Sequence, residues 1–225
     1  MSTNTKAAIR RRHQRLPELG ITRENTALLI IDMQYEDAHA DYGLCARFKA
    51  RGEEEGVQYY LGRLALIVPN IQKLLAAFRE RSMQVIYTNI ESLTKDGRDR
   101  SQEHKGLGIH VSPGSREAQI LEAIAPNDDE IVLSKTCGSV FNGTVIDYVL
   151  RNIGIRNLVV VGVVTSGCVE ITVRDAADRS YGVIVVEDAC ATWTEEMQAA
   201  SMWAMDEIYA KAKGTGEVLQ ILAKV

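Results

Sequence analysis

Residues 157–181 read NLVVVGVVTSGCVEITVRDAADRSY. From Leu158 to Val164 the chain is an almost unbroken run of apolar, mostly β-branched residues, the pattern of a strand covered on both faces in a parallel sheet. The run stops at Thr165-Ser166-Gly167-Cys168, and the periodicity then changes. Val169, Thr172, Val173, Ala176 and Ala177 fall on one face of a helix, with Glu170, Arg174, Asp175 and Arg179 on the other. The β-branched residues between Val169 and Val173 weigh mildly against helix. Cys168 is thereby expected in the first turn of a helix, at the carboxyl end of a central strand. Ligands of open α/β sheets bind beyond that edge, and the free N–H groups and dipole of a helix start favour a thiolate and an incoming oxyanion. Two readings of Cys168 stand side by side: a nucleophile, or a small buried apolar residue, as many free cysteines are.

The flanking sequence repeats the same alternation. Thr26–Ile31 (TALLII) reads as a second buried strand and runs directly into Asp32, which is either a loop-starting residue or an acid at the sheet edge. The polar segment 33–62 is too long for a simple connection and reads as a partly helical cap over that edge. Helices are predicted at Leu64–Arg81, Ser115–Ile124, Thr144–Asn152 and Glu195–Lys211, and strands at Met83–Thr88, Glu130–Leu133 and Val183–Glu187. The residues Asp188–Thr192 read as a loop, and Val218–Leu222 as a short strand or helix. The pattern implies an α/β fold, a three-layer α/β/α sandwich around a mainly parallel sheet with right-handed crossovers. Met197, Met202, Trp203, Met205 and Ile208 form a stripe expected in the core or a subunit interface rather than at a cofactor.

Composition narrows the function classes. The chain has 225 residues, 46% hydrophobic and 25% charged, which suits one α/β domain over 26–225 preceded by a basic arm at 1–25. Lys6, Arg10, Arg11, Arg12, Arg15 and Arg23 lie in that arm, which is read as a solvated or subunit-clasping extension. The formal charge of −4 gives no reason to expect a nucleic-acid partner. No apolar run approaches the roughly 20 residues that span a membrane, and the start MSTNTKAAIRRR lacks an apolar signal core, so a cytoplasmic protein is expected. The four cysteines, Cys45, Cys137, Cys168 and Cys190, are widely spaced and suggest neither a zinc site nor a disulfide framework.

Asp32, Lys135 and Cys168 each follow a predicted strand, Lys135 by way of Ser134. If those strands are neighbours, a carboxylate, an ammonium and a thiol meet at one edge. The ammonium would lower the thiol pKa, and the carboxylate could take its proton and pass it to a leaving amine. His13, His39, His104 and His110 lie in the arm or in loops, which argues against a Cys–His pair. The loop after Met83–Thr88 carries Asn89, Glu91, Lys95, Arg98, Asp99 and Arg100. It reads equally as a recognition loop for a polar substrate or as a solvated, salt-bridged loop.

Over roughly Thr26 to Leu222 the chain resembles the isochorismatase-like cysteine hydrolase superfamily. The resemblance lies in ALLIIDMQ with Asp32, in VLSKTCGSVFNGTVIDYVLRNIGIRNLVVVGVVTSGCV with Lys135 and Cys168, and in RDAADRSYGVIVVEDACAT. It implies a catalytic triad of Asp32, Lys135 and Cys168. It also implies a non-proline cis peptide at Val164–Thr165, with backbone N–H groups near Thr165 and Cys168 forming an oxyanion hole. True isochorismatases of the superfamily lack the cysteine and cleave a vinyl ether, so Cys168 points to the amidohydrolase side. There the loop IESLTKDGRDRS and the pair Phe141-Asn142 resemble enzymes acting on carbamoyl or ureido compounds, such as ureidoacrylate, biuret, triuret and N-carbamoylsarcosine amidohydrolases. Tyr35, Glu91, Arg98, Phe141 and Asn142 are the expected substrate-binding residues. Asp37-Ala38-His39 echoes the Asp-x-His metal element of nicotinamidases, but no partner histidine follows at a matching position. No metal and no cofactor are predicted. The expected ligand is a small polar molecule, and relatives of this kind usually assemble, so a homo-oligomer, dimer or tetramer, is expected. A simple carboxamidase, a vinyl-ether hydrolase and a catalytically silent binding protein are the competing readings.

Overall fold

In the computed structural model, which describes residues 16–225, the fully buried TALLII run forms β1 (Thr26–Ile31) near the middle of the sheet. The chain then runs through α1 (Tyr35–Ala38), α2 (Gly43–Ala50), α3 (Gln58–Glu80), β2 (Gln84–Ile90), α4 (Gln102–Gly106), β3 (Ile131–Lys135), α5 (Val140–Gly143) and α6 (Ile146–Asn152). It continues with β4 (Asn157–Val163), α7 (Glu170–Asp178), β5 (Gly182–Ala191), α8 (Glu195–Met205), β6 (Lys211–Lys213) and α9 (Thr215–Leu222). The six strands are all parallel, in the order β3-β2-β1-β4-β5-β6. Successive strands step one way from β1 to β3 and the other way from β4 to β6. The crevice where the order reverses therefore opens between the carboxyl ends of β1 and β4.

Alternation along the strands builds the three layers. Leu28, Ile30, Val159, Val161, Ile184 and Val186 face α3 and α9, where Ile67, Ile71, Leu74, Phe78 and Leu222 complete one apolar cluster. Their neighbours Ala27, Leu29, Leu158, Val160, Val183 and Val185 face Leu150 of α6, Val173 and Ala176 of α7 and Met202 and Met205 of α8. Each fully buried Leu, Ile, Val or Phe contributes about 1.5–3 kcal/mol, so two-sided burial fixes the centre of the sheet. With the turn before it, α3 is the one helix among the described residues that is long and apolar enough to cross a membrane. Here its apolar face covers the sheet.

Several boundaries depart from the sequence expectation. The helix predicted over Ser115–Ile124 is two short turns, Arg116–Ala118 and Glu122–Ile124. Between them, Gln119 O accepts from Tyr35 N, Leu121 N donates to Met33 O, and Gln34 bridges Ile120. Pairing with the β1 exit thus takes up backbone groups that a helix would need. The helix predicted over Glu195–Lys211 ends at Met205, because Asp206 is extended and Glu207 has φ +61° before the chain enters β6. Strand β5 absorbs most of the expected 188–192 loop, and Val218–Leu222 belongs to a helix. Of the arm, Lys6, Arg10, Arg11, Arg12, His13 and Arg15 lie outside the described residues. The described part packs inward: Leu19 and Ile21 join the apolar cluster, and Arg23 Nε donates to Arg81 O at 2.9 Å.

Candidate active site

Asp32 is the first residue beyond β1, and its φ of +52° is uncommon for a side chain larger than glycine, though Asp tolerates it better than most. Its N–H donates to Thr88 O at 3.0 Å, while Thr88 Oγ1 donates to Asp32 Oδ1 at 2.9 Å. The other carboxylate oxygen, Oδ2, lies 2.7 Å from Lys135 Nζ. Lys135 is the last residue of β3, and β2 separates that strand from β1. The expectation of neighbouring strands therefore holds for Asp32 and Cys168, since β1 pairs with β4, but not for Lys135. Its long stem, fully buried, brings the ammonium to the other two groups. There Nζ also donates to Cys137 O at 3.0 Å and lies 3.3 Å from Cys168 Sγ.

Cys168 sits in the wide turn Thr165–Val169 that precedes α7, not in the helix proper: Gly167 has φ −131° and ψ −108° and breaks the helical path. The cis peptide joins Val163 to Val164, one bond earlier than Val164–Thr165. Val163 is the last β4 residue paired with β5, so the chain leaves the sheet, and begins to turn, immediately after it.

Burial sets the charge state of the cluster. It would push the Lys135 ammonium down, but the Asp32 carboxylate and the Cys168 sulfur outweigh that and hold it above its ordinary range. Burial pushes the Cys168 thiol up; Lys135 opposes, and the Asp32 charge reinforces the rise. Burial and the Asp32 charge thus work against the thiolate that the Lys135 ammonium favours.

Asp32 and Cys168 lie in the wall of a cavity of about 510 Å³, joined by Glu36, Asp37, Arg47, Phe48, His104, Ser166, Trp193 and Met197. Glu36 is buried and bound by the Arg47 guanidinium. His104, 1% exposed, has a buried Nδ1 without a partner among the described residues, and burial, then the Lys135 charge, lower its pKa from 6.5, leaving a neutral ring. The sequence reading placed the 33–62 segment over this edge, as found, but did not single out most of the side chains that form the wall. Its signal was weak, because α1 and α2 are short and polar and reach the site only by folding back over the β1 exit.

None of the five expected substrate-binding side chains lines the cavity. Tyr35 is buried under the Arg116 guanidinium, 3.9 Å from the ring centre, and against His39 and Tyr42. Glu91 accepts from Gly114 N and Ser134 Oγ, which ties it to neighbouring loops. Arg98 points to solvent beside Asp96. Phe141 packs on Tyr181, in the turn between α7 and β5, and Asn142 donates to Asp175 of α7 at 3.1 Å, so both brace α5 against its neighbours. Asp37 and His39 diverge as well, one lining the cavity and the other stacked on Tyr35. Among the described residues no cluster of three or more His, Cys, Asp or Glu has the geometry of a metal site.

A six-stranded parallel sheet, with an acid beyond β1 and a thiol beyond β4 both held by Lys135 near its switch point, defines a doubly wound α/β fold with a candidate cysteine site. The isochorismatase domain family matches residues 26–217, and the chain belongs to that family of hydrolases. Ureidoacrylate amidohydrolase RutB of Acinetobacter baylyi is 28% identical over 209 residues, covering 85% of this chain and 81% of that protein. N-carbamoylsarcosine amidase of an Arthrobacter species is 29% identical over 164 residues, or 69% of this chain and 61% of that protein. The crystal structure of a cysteine hydrolase from Pseudomonas syringae pv. phaseolicola superposes with a TM-score of 0.80 at 26% identity, covering 94% of this chain and 98% of that one.

Proposed function

We propose that this protein is a cysteine-dependent amidohydrolase that releases ammonia from a small polar ureide or carbamoyl amide. The observation that carries the reading is the contact chain at the cavity wall: Cys168 Sγ, 3.3 Å from Lys135 Nζ, which is 2.7 Å from Asp32 Oδ2. As Sγ attacks the substrate carbonyl, its proton passes to Asp32, so the nucleophile is generated on demand from a neutral thiol. Lys135 remains an ammonium throughout and stabilises the negative charge shared by sulfur and carboxylate. Backbone N–H groups of the 164–168 turn serve the developing oxyanion. Asp32 then returns the proton to the departing nitrogen, which leaves as ammonia. Water, deprotonated by Asp32, resolves the thioester, or the thiocarbamate where the substrate is a ureide. The named amidohydrolase relatives support the C–N chemistry.

Ammonia release from biuret, triuret, ureidoacrylate and N-carbamoyl amino acids, measured beside nicotinamide and simple carboxamides, tests the substrate class. Turnover is expected on the ureido compounds, with kcat/KM at least about tenfold above the simple amides. A preference for nicotinamide or aliphatic amides would replace the ureide reading with a carboxamidase.

A further inference from the structure

Once the Asp32–Lys135–Cys168 cluster and the Glu36–Arg47 pair are assigned, one buried acidic side chain in the cavity wall is left without a partner. Asp37 closes the first turn beyond the β1 exit, lines the same cavity as Asp32 and Cys168, and is 7% exposed. Its Oδ2 has no hydrogen-bond partner among the described residues. Its backbone is fixed, because Tyr60 Oη donates to Asp37 O at 2.8 Å from the fully buried α3 side. A polar group that is buried, held in place and unsatisfied gains most from a ligand that supplies the missing hydrogen bonds.

We propose that Asp37 is a specificity-determining residue of this cavity, whose carboxyl group hydrogen-bonds the uncharged N–H and C=O edge of the substrate on the side away from the scissile bond. The assignment rests on the ureide reading above. Burial, and then the charges of Asp32 and Glu36, raise the Asp37 carboxyl well above the usual carboxylate range. Lys135 and Arg47 oppose the rise but are already paired with Asp32 and Glu36. In its protonated form Asp37 offers one O–H donor and a carbonyl acceptor. That pair of groups matches the acceptor and donor of a carbamoyl or ureido edge. A substrate carboxylate at the same place would present two acceptors and add a further negative charge beside Asp32 and Glu36.

Asparagine carries a donor and an acceptor where a neutral acid carries them, and leucine fills similar space with neither. The test is the affinity for biuret, by calorimetric titration, of Cys168→Ala protein carrying no further change, Asp37→Asn or Asp37→Leu, each checked for an unchanged melting temperature. Biuret binding within about threefold of the parent in Asp37→Asn, with a loss of at least about 30-fold in Asp37→Leu, is the expected result. Equal loss in both variants would mean that a carboxylate charge is what binds. No loss in Asp37→Leu, or no biuret binding to the parent, would also overturn the assignment. In the otherwise unaltered enzyme the defect of Asp37→Leu is expected in KM rather than kcat. An infrared difference between the parent and Asp37→Asn at neutral pH should contain the C=O stretch of a protonated carboxyl, and its absence contradicts the neutral acid. Failure of the ureide reading is seen separately, as a wild-type enzyme that binds biuret through Asp37 yet releases no ammonia from any ureide.

Discussion

Cys168→Ala is expected to lower kcat/KM for ammonia release by at least about a thousandfold while leaving the melting temperature close to wild type. Removing the sulfur eliminates the covalent route but leaves the Asp32–Lys135 ion pair intact, at 2.7 Å and sealed from solvent. Cys168 itself is only half-buried, at the cavity wall, so little packing is lost. The other two members are poorer probes. Asp32→Asn or Lys135→Met leaves a buried charge without its counter-charge, a change worth about 3–5 kcal/mol of stability, so lost activity there would mix folding with chemistry. Cys168→Ser is expected to be nearly as inactive as the alanine variant, because an alcohol needs a much stronger base than a thiol to become a nucleophile at the same place. Substantial turnover by the serine variant would contradict the assignment of sulfur as the attacking atom.

Gly162→Ala is expected to produce the largest loss of stability of any single methyl addition in the sheet, about 4 kcal/mol or more, with a melting temperature lower by about 10 °C or with no folded protein recovered. Gly162 has φ +116°, and a Cβ there would lie 2.1 Å from Ile31 O and 2.8 Å from Ile31 N. Ile31 is its direct partner across the β1–β4 ladder, the pair that ends at Asp32 on one side and leads into the Cys168 turn on the other. Neither backbone can yield without parting the two strands on which the site depends. The β4–β5 register also shifts between Val160 and Gly162, which places the residue at an irregularity that a side chain cannot follow. Gly216→Ala is the matched control: it lies in α9 with nothing within 4 Å of an added Cβ, and it should stabilise slightly. Thermal unfolding of the two variants side by side checks the contrast.

The sheet was readable because its central strands are apolar on both faces: Thr26–Ile31 was located to the residue, and Leu158–Val164 to within one. Asp32, Lys135 and Cys168 were readable as polar residues that interrupt or follow such runs at the sheet's carboxyl edge. What strand periodicity could not show was order in space. Lys135 reaches the cluster from a strand that touches neither β1 nor β4, through the length of its side chain. The cavity wall was least legible, because α1 and α2 are short, carry mixed polarity and are placed by tertiary contacts such as Tyr60 to Asp37 O and Arg47 to Glu36. For the same reason Glu91 and Arg98, attractive as charges after a strand, turned out to brace loops or face solvent. Phe141 and Asn142, carried by resemblance, brace α5 against Tyr181 and against Asp175 of α7.

The most direct test of Cys168 as a covalent nucleophile is acid-quenched mass spectrometry of wild-type protein mixed with excess turned-over ureide, with and without hydroxylamine as an acyl trap. The expected result is a Cys168 peptide heavier by the substrate minus ammonia, converted by hydroxylamine to unmodified peptide and an N-hydroxyurea, and absent from Cys168→Ala. Continued ammonia release with neither the Cys168 adduct nor the hydroxylamine product would contradict a covalent cysteine mechanism in this cavity.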